Sequence, residues 1–418
     1  MSSSQTRRTF FTWTRNAVAA GAVQALPLHA AGKEHRMEKG EDYYEKLGVT
    51  KIINAAGTYT FLTASIMPPS VQAAVAEAAK HPVRLGDLQR ASGEYIAKRL
   101  QCEGALVSAG AASALTLGTA ACVTRGNAEA VKQIPADMTG LKNEVIVQKA
   151  HRYDYDHALL NCGIRFVEVE TMDDYKNAFN DKTVMCHFFN AAEGGQIGRE
   201  DWLRVAHEHN VPCFNDAAAD VPPISNLWNY TKMGFDLVTF SGGKGMRGPQ
   251  NAGLLLGKKD LIDAAYKNDN PISETVGRGM KVAKEQIVGM VAAVDWFLSQ
   301  TDDGLESEFQ SRADRIASHL KGIPTLQAKT VKMPIANHVP HLLLRYDQQR
   351  IHISPHQVAL ELRQGTPSIE LNPGTGRNDA ALGSDENTIV VGVWMLQPGE
   401  DMIVAKHLRE VLSKAATA

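Results

Sequence analysis

Phe240-Ser241-Gly242-Gly243-Lys244-Gly245 is the stretch on which the fold turns. A β-branched and aromatic run, Leu237-Val238-Thr239-Phe240, leads directly into two glycines and a lysine, with Ser241 three residues before that lysine. Glycines let a backbone close on a ligand, and a lysine amine that loses part of its hydration can form an imine with a carbonyl. A nucleotide-phosphate loop is excluded: the GxxxxGK[ST] spacing is absent and Gly245 follows the lysine.

Outward from this point, strand-like runs alternate with helical ones. Strands are predicted at Glu144-Val145-Ile146-Val147, Arg165 to Val169, Val184 to Phe189, Pro212-Cys213-Phe214 and Leu237 to Phe240. Helices are predicted at Val71 to Lys80, Gly93 to Leu100, Ala111 to Val123 and Arg199 to Glu208. Such alternation predicts an α/β unit with a mostly parallel sheet covered on both faces. A long helix, Lys281 to Leu298, leaves it. The remainder reads as a smaller α+β domain: strand His341 to Arg345, helix Pro355 to Leu362, strand Thr388 to Leu396, helix Asp401 to Ala415. The expected organisation is a signal over 1–31, a linker and arm over 32–52, a large cofactor-binding domain over 53–298 and a small domain over 299–418.

Ligands of open parallel sheets bind at the carboxyl ends of strands. Two further strand ends carry residues that complement Lys244. In Phe214-Asn215-Asp216-Ala217-Ala218, a buried Asp216 suits a protonated ring nitrogen, and the Ala218 methyl is small enough for a flat ring to lie on. In Ser108-Ala109-Gly110-Ala111-Ala112-Ser113, free N–H groups at a helix start and a serine hydroxyl make an anion site. His151 follows the Glu144 strand, where it is placed to stack on the ring's other face.

The order of these parts (anion-binding turn, histidine, Asp-x-Ala, Ser-x-x-Lys) resembles the pyridoxal-phosphate enzymes of the aspartate-aminotransferase-like fold, fold type I. The resemblance implies a large domain with a mostly parallel, seven-stranded-type sheet. It also implies that Lys244 holds pyridoxal 5'-phosphate covalently, that Asp216 pairs with the pyridine nitrogen, and that His151 covers the ring. Gly110, Ala111, Ala112, Ser113 and Ser241 take the phosphate in that scheme. Homodimers, or higher homo-oligomers, with sites at the subunit boundary are implied as well. Within the group, Ile53-Asn54-Ala55-Ala56-Gly57, Arg247-Gly248-Pro249-Gln250 and Leu362-Arg363-Gln364-Gly365-Thr366-Pro367 resemble the family of selenocysteine synthase and D-glucosaminate-6-phosphate ammonia-lyase. The Glu45-Lys46-Leu47-Gly48 opening favours the ammonia-lyase side.

By this resemblance the reaction is α,β-elimination from a β-hydroxylated amino acid or amino-sugar acid, with Lys244 as the base for the α-proton. The β-hydroxyl leaves, and the product hydrolyses to a 2-keto acid and ammonia. Arg363 is the candidate for the substrate carboxylate, since a guanidinium offers two parallel donors. Arg247 and Asn54 complete the candidate substrate-binding set. Racemisation and retro-aldol cleavage use the same lysine and aspartate and stay open as alternatives.

A formal net charge of -2 gives no electrostatic footprint for nucleic acid, and only a signal and short linker precede Asn54 where the selenium transferases carry a tRNA-binding region. The five cysteines lack disulfide or zinc spacing and read as small buried hydrophobes. Thr6-Arg7-Arg8-Thr9-Phe10-Phe11, then the apolar Ala17 to Val23, resembles a twin-arginine export signal too short to span a membrane, predicting a periplasmic or secreted protein exported folded. Two other classes remain: a metal-dependent hydrolase built on His151-x-x-Asp154-x-x-His157, and a catalytically inactive binding factor of the same fold.

Overall fold

The computed structural model describes residues 41–190 and 195–417; the expected export signal and residues 32–40 of the linker lie outside them. Two compact units divide the chain at residue 50. In the first, the described residues form one short helix, Tyr43–Leu47, started by the Asp42 carboxylate accepting the Tyr44 N–H at 2.9 Å.

Among its described residues the second unit has twelve strands. They are β1 (Ile52–Ala55), β2 (Gly104–Ser108), β3 (Glu144–Gln148), β4 (Arg165–Val169), β5 (Thr183–Phe189), β6 (Cys213–Asp216), β7 (Leu237–Ser241), β8 (Gly253–Gly257), β9 (Gln327–Lys332), β10 (Pro340–Arg345), β11 (Ser368–Leu371) and β12 (Thr388–Gly392). Seven make the large sheet, in the order β2-β8-β7-β6-β5-β3-β4. All its neighbours run parallel except β8, which is antiparallel to both β2 and β7.

The central strands are buried along almost their whole length, as a sheet covered on both faces requires. One face lies under helix α1 (Ala111–Thr124), buried beyond its first two residues. Its small side chains let it approach closely: a Cβ on Gly118 would lie 2.4 Å from the Phe214 ring. Leu106, Leu117, Val145, Phe214 and Leu255 fill that layer. The larger core, on the other face, runs through Phe188, Trp202, Val238 and Phe240 and on to Leu342, Val391 and Leu408.

The C-terminal part is α+β, as expected: an antiparallel sheet β12-β10-β9 with helices Asp302–His319 and Glu400–Thr417 packed against each other. β1 pairs in parallel with β11, Ile52 opposite Ser368, so the start of the expected large domain shares a sheet with the C-terminal part. Four of the five cysteines are buried, Cys102 is partly so, and all are unpaired.

Candidate active site

One edge of the large sheet collects the three strand ends. Ser108 of β2 and Ser241 of β7 both lie opposite Gly253, the first residue of β8. Asp216 ends β6, one strand further across. A serine-flanked helix start, a lysine loop and a carboxylate therefore lie at the same end of the sheet.

Backbone hydrogen bonds tie down the lysine loop. Gly242 N–H donates to the Ala252 carbonyl at 2.8 Å, and Gly248 N–H to the Gly242 carbonyl at 2.8 Å. The Ser65 hydroxyl donates to the Gly243 carbonyl at 2.6 Å. Gly245 lies so close to the Asp220-Val221 segment that a Cβ there would sit 2.1 Å from the Val221 carbonyl oxygen. Burial lowers the Lys244 pKa from its ordinary value, opposed by the charges of Asp216 and Asp220. A larger share of neutral amine results, which is what a nucleophile or base needs.

Asp216 is 3 % exposed. Its Oδ1 accepts the Ala218 N–H at 2.9 Å and its Oδ2 accepts the Tyr153 hydroxyl. Burial raises its pKa, while the Tyr153 and Ala218 hydrogen bonds and the Lys244 charge pull it down. Asp220 is pushed up to about 6, chiefly by burial; it accepts from the Asn190 amide and, at 3.2 Å, from Tyr230.

At the third strand end, Gly110 takes a φ of +92°, open to glycine, and no side chain caps α1. The first N–H groups of a helix have no partner within it. The Ser113 hydroxyl is buried and makes no hydrogen bond among the described residues. An uncapped helix start beside an orphaned hydroxyl fits a phosphate. With a lysine of lowered pKa and a buried carboxylate on neighbouring strands, the donor set fits a phosphorylated pyridine aldehyde.

The remaining candidates are placed differently. His151 is buried with its ring edge-on to Phe188 at 4.4 Å, its Nδ1 accepting the Phe189 N–H at 3.3 Å. Burial pushes its pKa down to about 4. The ring beside the Asp216 carboxylate belongs to Tyr153. Asn54 folds its own loop: Oδ1 accepts the Ala56 and Gly57 N–H groups, and Nδ2 donates to the Gly57 carbonyl. Arg247 donates to the Trp394 carbonyl at 2.7 Å, and Arg363 pairs with Glu370 at 2.8 Å. Each contact engages one terminal nitrogen of its guanidinium, which has further N–H donors for a substrate carboxylate. The metal alternative loses its geometry, since His151 ends a short 3-10 turn while Asp154 and His157 are exposed and share no helix with it.

Sequence reasoning missed Tyr153, Asp220 and Ser65. Tyr153 follows His151 by two residues in a run of tyrosines and aspartates, a weak signal; Ser65 carries none.

Comparison with known proteins agrees with this geometry. The family model of L-seryl-tRNA selenium transferase (SelA) matches residues 52–307. The D-glucosaminate-6-phosphate ammonia lyase of Salmonella typhimurium is 26% identical over 390 residues, covering 89% of this chain and 98% of that protein. A 5'-C-glycyluridine monooxygenase-decarboxylase of Streptomyces sp. is 28% identical, over 81% of this chain and 84% of that one. The solved structure of a D-glucosaminate-6-phosphate ammonia-lyase superposes with a TM-score of 0.77 at 25% identity, covering 90% of this chain and 100% of that chain. A SepCysS–SepCysE complex, at 16% identity and a TM-score of 0.57, shares the fold. The chain belongs to the L-seryl-tRNA selenium transferase family, has the type I pyridoxal-phosphate fold and takes pyridoxal 5'-phosphate as its cofactor.

Proposed function

We propose that this enzyme is a lyase that carries out α,β-elimination on a β-hydroxylated amino acid or amino-sugar acid, releasing ammonia and a 2-keto acid. One observation carries the reading: Lys244, its amine made more available by burial, lies at the same sheet end as Asp216, whose charge it feels, and as the helix start that bears the orphaned Ser113 hydroxyl. Similarity to an ammonia lyase over 89% of the chain supports elimination as the outcome.

Bound pyridoxal phosphate supplies an electron sink for the charge left at Cα. The N–H groups at the start of α1 and the Ser113 hydroxyl would hold its phosphate, and Asp216 would hold the ring nitrogen. Lys244 would hold the cofactor covalently, and its Nζ would take the α-proton of the substrate. The same amine, then protonated, would return that proton to the leaving hydroxyl, which departs as water. A second outcome at the same site is loss of the carboxylate, the step named for the Streptomyces relative.

The test is the visible absorption of the purified protein and of Lys244→Ala, followed with D- and L-hydroxyamino acids and aminosugar acids. A visible cofactor band lost in the variant, and a compound that perturbs it while releasing ammonia and keto acid, is the expected result. Carbon dioxide without ammonia assigns decarboxylation, and a perturbed band without either product assigns racemisation or aldol cleavage. We further propose that the chain is exported folded to the periplasm, on the strength of Arg7-Arg8 and the apolar run after them.

A further inference from the structure

The Asp216 carboxylate has one side-chain hydrogen-bond donor among the described residues, the Tyr153 hydroxyl. The sheet puts it there. Phe189 at the end of β5 lies opposite Asp216 at the end of β6, and the Tyr153 ring stacks on Phe189 at 4.1 Å with 23° between planes. The Tyr153 hydroxyl also comes 3.5 Å from His187 Nε2, in an imidazole wholly buried and whose Nδ1 has no hydrogen-bond partner among the described residues.

We propose that Tyr153 is the positioning residue that keeps Asp216 ionised and aimed at the ring nitrogen of the cofactor, and so sets whether that nitrogen is protonated. Asp216 loses hydration by burial, which favours its neutral form, and a hydrogen bond to the charged form opposes that. A carboxylate has about four lone-pair positions, so the Ala218 N–H and the Tyr153 hydroxyl leave room for a pyridinium N–H. Tyr153 keeps its own proton, because burial and the Asp216 charge both hold its acidity far below that of an ordinary phenol. His187 contributes no charge, its pKa pushed down to about 3 by burial. The remaining charge acting on Asp216 is Lys244, which favours the anion, while Asp216 in turn helps to raise the pKa of Asp220.

The inference rests on Asp216 meeting the ring nitrogen, so the experiment separates the two claims. Pyridoxal phosphate labelled with nitrogen-15 in the ring is bound to wild type, Tyr153→Phe, Asp216→Ala and the double variant. Nitrogen shift and cofactor dissociation constant are read for each between pH 6 and 8. The expected result is a protonated nitrogen in wild type and a shift toward the unprotonated value in Tyr153→Phe. Affinity falls roughly tenfold in Tyr153→Phe, the scale of one lost hydrogen bond to a charged group. In the Asp216→Ala background the same change has little further effect, because its partner is already gone. An unchanged nitrogen signal in Asp216→Ala overturns the placement of Asp216. A changed signal there with none in Tyr153→Phe, or an equal affinity loss from Tyr153→Phe in both backgrounds, overturns the role of Tyr153 alone.

Discussion

At the scale of single residues, two buried carboxylates sit near one amine, and their protons distinguish them. Asp220 has a folded-state pKa of about 6, above its ordinary value of 3.8, so burial penalises its ionised form. Below about pH 4 the side chain is protonated folded and unfolded alike and the penalty vanishes. It grows between pH 4 and 6 and is complete above that. Asp220→Asn should therefore gain stability relative to wild type as pH rises through this window, by a limit on the order of 3 kcal/mol. Thermal midpoints of the cofactor-free proteins at pH 4.5 and 7.5 check it; a difference that does not change with pH refutes it. Lys244 and Asp216 were legible in the sequence because each stands where a hydrophobic strand stops, a position a local pattern can mark. Tyr153 was not, since its contact with Asp216 depends on β5 lying beside β6, which no neighbouring residues encode.

At the scale of elements, the glycine of β8 nearest the site is a fixed point. A Cβ on Gly253 would meet the Gly110 carbonyl carbon at 2.5 Å and the Ala111 nitrogen at 2.7 Å, all backbone of the phosphate turn. Gly253→Ala should displace that turn and weaken pyridoxal phosphate binding more than tenfold, measured by fluorescence titration. Gly86→Ala, on the helix Leu85–Leu100 with nothing within 4 Å, should leave binding alone and raise stability by about 0.5–1 kcal/mol. Undisturbed binding in Gly253→Ala would show that the turn can yield.

Strands built on β-branched and aromatic residues, such as β3, β4 and β5, were read within a residue or two. β8, Gly-Leu-Leu-Leu-Gly, carries no period that separates strand from helix, and it was missed. The predicted strand Thr388 to Leu396 stops at Gly392, where Ala56 crosses: a Cβ there would lie 2.3 Å from the Ala56 carbonyl oxygen. Helix Leu85–Leu100 begins two turns before the predicted Gly93 because Gly86, Ser92 and Gly93 dilute its helical signal.

At the scale of the whole molecule, the class of fold followed from alternation of strands and helices, while the closure of the chain on itself did not. The pairing of β1 with β11 joins segments whose sequences carry no mark of each other. Among the described residues no helix is long and apolar enough to cross a membrane. Export of the full chain predicts enzyme in the periplasmic fraction and its retention in the cytoplasm when Arg7 and Arg8 are both changed to Lys. Equal distribution of the two forms would remove the export reading.

That same closure has a consequence for synthesis. Ile52 waits for Ser368, so β1 leaves the ribosome hundreds of residues before its partner exists. The loop after β1, shaped by Asn54, carries the Ser65 hydroxyl that holds the Gly243 carbonyl beside the reactive lysine. A nascent chain halted before residue 368 thus holds every strand of the large sheet together with Lys244 and Asp216, yet its lysine loop is braced by a segment with nothing to lean on. Such a chain should collapse without acquiring a competent pocket, and the emergence of β11 (Ser368–Leu371), rather than that of Lys244, is the moment at which this protein should become able to take up its cofactor.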